Sequence, residues 1–299
     1  MTLFSGLSAF PVTPADADGR VDVDHLQRLV ARLCAADVAS IGAMGSTGGY
    51  VYLSNAERDR AVAAVVEAAG PVPVLAGIGA LCTSDVLHHA RTAEAAGAAG
   101  VLLVPVSYLP LTDDEVLELA RDVAGATGLP ICIYNNPGTT HFDISEDLLT
   151  RLAQIPTVAA VKNPPPQDGA FAAQITRLRA RLPAGFSVGY SGDAAIAGAL
   201  SAGADAWYSV LAGTCPGICG QVWAARSDAA GLAALEGRLA PLWALFNAHG
   251  SIRVVHEVAG LLGLGPVALP RPLRPLPEPV RLQVAAALDH AGLMQGEPA

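Results

Sequence analysis

Short apolar runs alternate along this chain with longer stretches whose apolar positions recur every three or four residues. The runs Leu7–Val12, Val38–Ala43, Val72–Ile78, Ala99–Val104, Pro130–Tyr134, Thr157–Lys162, Phe186–Tyr190 and Ala204–Tyr208 read as strands. Helices are expected between them. Leu26, Leu29, Val30 and Leu33 share one helical face behind Asp22 as N-cap, and Ser84–Ala96, Ser145–Leu152, Phe171–Leu182 and Ala194–Ala202 read as further helices. Ser54-Asn55-Ala56-Glu57 and Thr112-Asp113-Asp114-Glu115 have the form of capping boxes, each opening a helix.

The strand ends at Val104, Tyr134, Lys162 and Tyr190 are spaced by 30, 28 and 28 residues, the size of one βα unit. No sequence repeat accompanies that period. Strands that are apolar almost throughout belong to parallel sheets covered on both faces. Eight such units predict an α/β fold, a (β/α)8 TIM barrel, over residues 1–214. An open Rossmann-like sheet is the alternative, weakened by the lack of G-x-G-x-x-G after the first strand. Beyond Ser209 the strand signal stops. Cys215–Arg226, Ala229–Phe246, Ile252–Leu262 and Pro279–Leu293 predict a C-terminal helical extension, residues 215–299, packed on the barrel. Pro266–Pro279 reads as a rigid connector and Gln295–Ala299 as a frayed tail.

Composition narrows the function classes. A net charge of -9 disfavours nucleic acid and anionic membrane surfaces as partners. The five cysteines are odd in number and scattered, without C-x-x-C, which predicts reduced residues in a cytoplasmic protein. The N-terminal residues lack the form of a signal peptide, and no apolar run reaches membrane-spanning length. Cys215 and Cys219 lie four apart, but no histidine stands at ligand spacing, so no metal site is expected there. His88-His89 reads as a solvated helix face without a third ligand, and His141 as a loop residue near the strand ends.

Lys162 is the only lysine; the other 17 basic residues are arginine. A guanidinium stays protonated, whereas a desolvated amine loses its proton and attacks carbonyls. In a barrel the C-terminal strand ends face the active site. Three clusters fall there: Gly45-Ser46-Thr47-Gly48-Gly49, rich in backbone N–H groups suited to a carboxylate; Tyr134-Asn135-Asn136-Pro137; and Lys162 one strand on. Neighbouring strands lie ~5 Å apart, which puts Tyr134 and Lys162 in one mouth. An amine there can form a Schiff base with a 2-oxo acid, and the iminium becomes an electron sink for making or breaking a C–C bond. Trp207 and Tyr208, at the end of the eighth strand, are expected to shape the pocket. Arg253 and the group Leu242, Trp243, Leu245 and Phe246 read as packing residues.

In this order the clusters resemble the dihydrodipicolinate synthase / N-acetylneuraminate lyase family of class I pyruvate-dependent aldolases. The matches are Gly45–Gly48, Tyr134–Pro137, Lys162, Ser191-Gly192-Asp193 and the opening Ala9–Pro14, and the similarity runs essentially end to end. The resemblance implies Lys162 as Schiff-base lysine, Tyr134 as acid/base, and Ser46 and Thr47 on the donor carboxylate, with Ser46 in the proton relay. Gly48, Thr139, Ser191, Gly192, Tyr208 and Tyr108 complete the implied substrate site. It further implies a homotetramer built as a dimer of dimers, and no metal or organic cofactor.

The departures redirect the substrate. Dihydrodipicolinate synthases proper carry an arginine where Thr139 stands, a tyrosine from across a subunit interface where Ser107 stands, and K-E-[AS] where Lys162-Asn163-Pro164 stands; Tyr108, one position on, is a candidate substitute. Many members also have an acidic residue at the position of Gly49. Losing an arginine that holds a carboxylate costs about 2–5 kcal/mol. A 2-keto-3-deoxy sugar acid therefore stands beside pyruvate as an expected substrate, with true 4-hydroxy-tetrahydrodipicolinate synthesis as the alternative. A non-catalytic small-molecule binder, and a phosphate-site barrel enzyme using Gly45–Gly49, are the remaining readings.

Overall fold

The computed structural model describes residues 3–294; the tail Gln295–Ala299 lies outside them. Eight parallel strands form a closed barrel in chain order, β1 (Gly6–Ala9), β2 (Ser40–Ala43), β3 (Val74–Gly77), β4 (Gly100–Leu103), β5 (Ile131–Tyr134), β6 (Val158–Asn163), β7 (Ser187–Tyr190) and β8 (Ala206–Ser209). Pairing of β8 with β1 closes the ring, which no open Rossmann-like sheet does. Each expected run contributes a strand. Most are four residues long; β1 begins one residue before its expected run, and β6 and β8 each end one residue beyond theirs.

Helices cover the barrel between strands, and their starts follow local chemistry. Asp22 accepts from the His25 N–H (3.0 Å) at the first helix, Val23–Ala35. Thr112 and Glu115 form the reciprocal box expected of them. Ser54 does cap the helix Asn55–Ala69, but its box is half made. The Glu57 carboxylate accepts from the Val21 N–H (2.7 Å) and pairs with Arg60, instead of returning to its own N-cap. After β8 come the helices Pro216–Ala224, Ala229–His249, Ser251–Leu261 and Glu278–His290. Gly250, with φ 82°, makes the corner between the second and third.

Two close approaches shape the C-terminal mouth. A Cβ on Gly77, at the end of β3, would lie 2.0 Å from the Met44 carbonyl oxygen. Met44 itself has φ 55°, turning the chain from β2 into Gly45–Gly49. Gly42 and Gly45 leave room for the Phe10 ring, which a Cβ on either would meet at 2.3 or 2.5 Å. Gly77→Ala is therefore expected to destabilise the fold by about 1–3 kcal/mol, because backbone cannot yield as a side chain can. Gly125→Ala, in the open on the helix Asp113–Ala126, should instead be neutral or stabilising by up to about 1 kcal/mol. Denaturant midpoints of the two variants check the contrast.

Candidate active site

The mouth of the barrel opens into a cavity of about 900 Å³. Lys162 reaches it from β6, in direct register with Tyr134 on β5. The lysine is 3% exposed, and its Nζ stands 3.9 Å from the centre of the Phe10 ring, 4.1 Å from that of Tyr134 and 5.6 Å from that of Tyr208. Aromatic faces attract an ammonium ion, but they do not replace its water. Burial dominates and lowers the Lys162 amine to about 7, with Cys132 and Asp193 opposing the shift. At neutral pH a large fraction of this amine is unprotonated.

Burial pushes Tyr134 up to about 12, against the hydrogen bonds it makes with Ser46 and Ser191. The phenol therefore keeps its proton at neutral pH. Ser191 Oγ also donates to the Asn163 carbonyl (3.2 Å), which fixes it beside the phenol. Ser46 sits on the turn after β2, so three strand ends meet in one hydroxyl chain beside the amine. Asn135 steadies the β5 end, donating to Asp143 (2.9 Å) and accepting from the Ile144 N–H (3.1 Å).

Asp193, after β7, is a buried carboxylate that also touches the cavity. Trp207 Nε1 (3.0 Å), Ser209 Oγ (3.2 Å) and the Leu211 N–H (2.8 Å) all donate to it. Burial raises it above the ordinary aspartate range, while those donors and Lys162 pull the other way. It ties β7 to the end of β8 and places negative charge near the amine.

Thr47, Thr139, Ser191 and Gly192 line the same cavity as Lys162, Tyr134 and Ser46. Three expected residues do not. Gly48 faces a smaller cavity of about 340 Å³ behind the glycine turn. Tyr208 is sealed beneath the amine, its hydroxyl 3.5 Å from Cys132 Sγ, so it forms floor rather than wall. Tyr108 is 91% exposed and stands outside the cavity of the single chain. Trp207 is also out of the cavity, its indole committed to Asp193, and His141 is exposed and does not line the cavity.

Other wall residues are not legible in the sequence. Arg58 is buried, with Nη1 donating to the Gly79 carbonyl (3.0 Å) and Nη2 to that of Gly77 (3.1 Å). Phe246, Asn247, Ser251 and Ile252, on either side of the Gly250 corner, close the cavity from the C-terminal helices. Phe246 is thus a cavity residue, and not only the packing residue expected.

Residues 3–291 match the sequence profile of the Dihydrodipicolinate synthetase family. The chain belongs to that family. As a member it is an enzyme of the lysine-imine class of lyases. It is 34% identical over 298 residues to a 4-hydroxy-tetrahydrodipicolinate synthase of Acidiphilium cryptum, covering 98% of this chain and 100% of the relative. A solved dihydrodipicolinate synthase from Agrobacterium tumefaciens is 47% identical, with a TM-score of 0.95 over 97% of this chain and 98% of the other. The pyruvate complex of an Acinetobacter baumannii dihydrodipicolinate synthase is 29% identical, with a TM-score of 0.86 over 98% and 100% of the two chains. Among the described residues, no helix is long and apolar enough to cross a membrane.

Proposed function

We propose that Lys162 Nζ attacks the carbonyl carbon of a 2-oxo acid and that the resulting imine makes or breaks the neighbouring C–C bond. The observation that carries this reading is a buried amine, lowered to about 7, in register with a protonated phenol at the base of a large cavity. The pyruvate bound by the Acinetobacter relative supports the donor. Tyr134 gives a proton to the departing hydroxyl as the carbinolamine loses water, with Ser46 and Ser191 as its relay. Thr47 and the backbone of the glycine turn hold the carboxylate.

For the second substrate we favour a 2-keto-3-deoxy sugar acid. With the imine at C2, the C4 hydroxyl gives up its proton and the C3–C4 bond electrons move into the iminium. An aldehyde leaves, and the enamine then takes a proton and is hydrolysed to pyruvate. The cavity wall supports a polyhydroxylated partner, because Asn136, Thr139, Asn247 and Ser251 offer uncharged hydroxyl and amide groups. Among the described residues, the only other cation on the wall is Arg58, whose two terminal nitrogens are already held by backbone carbonyls. The named relatives favour 4-hydroxy-tetrahydrodipicolinate synthesis instead. Pyruvate release from a panel of 2-keto-3-deoxy acids, run beside aspartate semialdehyde condensation, separates the two. Condensation with no release from any sugar acid would overturn this choice.

The amine also sets a pH dependence. Its charged form cannot attack, so imine formation with pyruvate is expected to be flat in mildly alkaline buffer and to fall tenfold per pH unit well below about 7. Stopped-flow rates across the range give the midpoint; a midpoint near 10 would mean that the amine is hydrated. A homotetramer and a cytoplasmic location complete the reading. Exposed Leu81, Tyr108 and Leu109 support contact with further copies, and the odd, scattered cysteines support a reducing compartment.

A further inference from the structure

We infer that Asp59, His88 and His89 form a binding site for one divalent transition-metal ion of the zinc type, apart from the active-site cavity. Asp59 lies on the helix Asn55–Ala69, and the two histidines lie on its neighbour, Thr83–Ala96. None of the three lines the cavity around Lys162. His88 Nε2 is 2.7 Å from Asp59 Oδ2, and His89 Nδ1 is 3.4 Å from Asp59 Oδ1.

Successive residues on a helix point about 100° apart, so adjacent histidines rarely share a ligand. Here they do, because Asp59 projects from the facing helix into the angle between them. One ring approaches from the solvent side and the other from the buried side, their centres 5.3 Å apart and their planes at 71°. The three donor atoms lie within 4.8 Å of one another. Ligands of one tetrahedral zinc ion are about 3.3 Å apart, so the trio needs to close by roughly 1.5 Å at most. His88 is half exposed, and its ring has the freedom to make that movement.

The surroundings suit a ligand set. Thr92 Oγ1 donates to Asp59 Oδ1 (3.0 Å), which orients the carboxylate from outside the trio. His89 is 4% exposed and its Nε2 has no hydrogen-bond partner, so the ring is anchored only through Nδ1, on the side that faces Asp59. Two imidazoles and one carboxylate match the donor preference of zinc and its neighbours rather than of calcium or magnesium. The solvent side at His88 leaves a fourth position for water. The sequence reading sets His88-His89 on a solvated face without a third ligand. That ligand comes from 29 residues away, and His89 is turned inward. A bound ion would clamp the two helices together, and turnover does not require it.

The test uses tag-free full-length protein stripped with chelator, then titrated with Zn²⁺ by calorimetry and with Co²⁺ by visible absorption. We expect one equivalent to bind, a rise in melting temperature on adding zinc, and a Co²⁺ d–d spectrum of low coordination number. His88→Ala, at a half-exposed position where folding is not at risk, should lose at least tenfold in affinity and lose the melting shift. Asp59→Asn should do the same. No stoichiometric binding to the wild type, or equal binding to His88→Ala, would overturn the site and leave the trio as a hydrogen-bonded helix contact.

Discussion

Lys162→Arg is expected to abolish turnover, with kcat/KM falling by roughly 10³-fold or more, the scale seen on removing a covalent nucleophile. Arginine keeps the positive charge and most of the length, so the loss isolates the amine's ability to deprotonate. Borohydride reduction in the presence of pyruvate should add one mass increment to the wild type, mapped to Lys162, and none to the variant. A wild-type chain that takes up no adduct from any 2-oxo acid removes the imine mechanism from this protein. Lys162→Met carries a second expectation, with its sign fixed by the same burial. The folded chain holds the lysine at about 7 and the unfolded chain near 10.5, so the unfolded state binds the extra proton between those values. The resulting destabilisation is full below pH 7 and fades as pH rises toward 10.5. It corresponds to about 5 kcal/mol. Lys162→Met should therefore melt higher than the wild type at pH 6, with the advantage shrinking steadily above about pH 7. A catalytic group that weakens its own fold is difficult to explain except by what it does.

Tyr134→Phe removes a proton donor while keeping the ring that packs on Lys162. The expected loss in kcat is about 10²–10⁴-fold, with a much smaller change in KM. Imine formation should survive more slowly, so borohydride still labels Lys162 in the variant. That combination separates a proton relay from a structural tyrosine, for which labelling and turnover would fall together with stability. A variant within threefold of wild-type kcat would assign the relay elsewhere, Ser46 and Ser191 being the groups already in contact with the phenol.

The barrel was readable from the sequence because each strand is a short, largely apolar run, and several helices declare a start. Asp22, Thr112 and Ser145 all cap as their residue types suggest. The cluster around Lys162 was readable for a related reason: strand order converts a spacing of 28 residues into direct pairing. What escaped depends on contacts distant in sequence. Arg58 sits in a polar stretch, Glu57-Arg58-Asp59-Arg60, with every mark of a solvated helix face. Its burial follows from two carbonyls at the end of β3, some twenty residues on. Asn247 and Ser251 look like ordinary helix-end residues, and only the fold of the C-terminal helices brings them over the mouth. The short helix Pro137–Thr140 begins at the last residue of the Tyr134–Pro137 cluster, and the 3₁₀ turn Tyr50–Tyr52 follows Gly45–Gly49; both are too short to show a period in the sequence.

The corner at Gly250 has a consequence for how acceptor preference diversifies in such enzymes. On the proposed reading, the groups for bond chemistry are mounted on strand ends, whereas part of the cavity wall that would meet the outgoing aldehyde belongs to a hairpin of helices added after the barrel is complete. Selection can therefore rewrite residues 246–252 without disturbing the register that aligns Lys162 with Tyr134. A chimera carrying that segment from a relative with a different acceptor should inherit the donor's taste in aldehydes while retaining the host's reactivity toward borohydride.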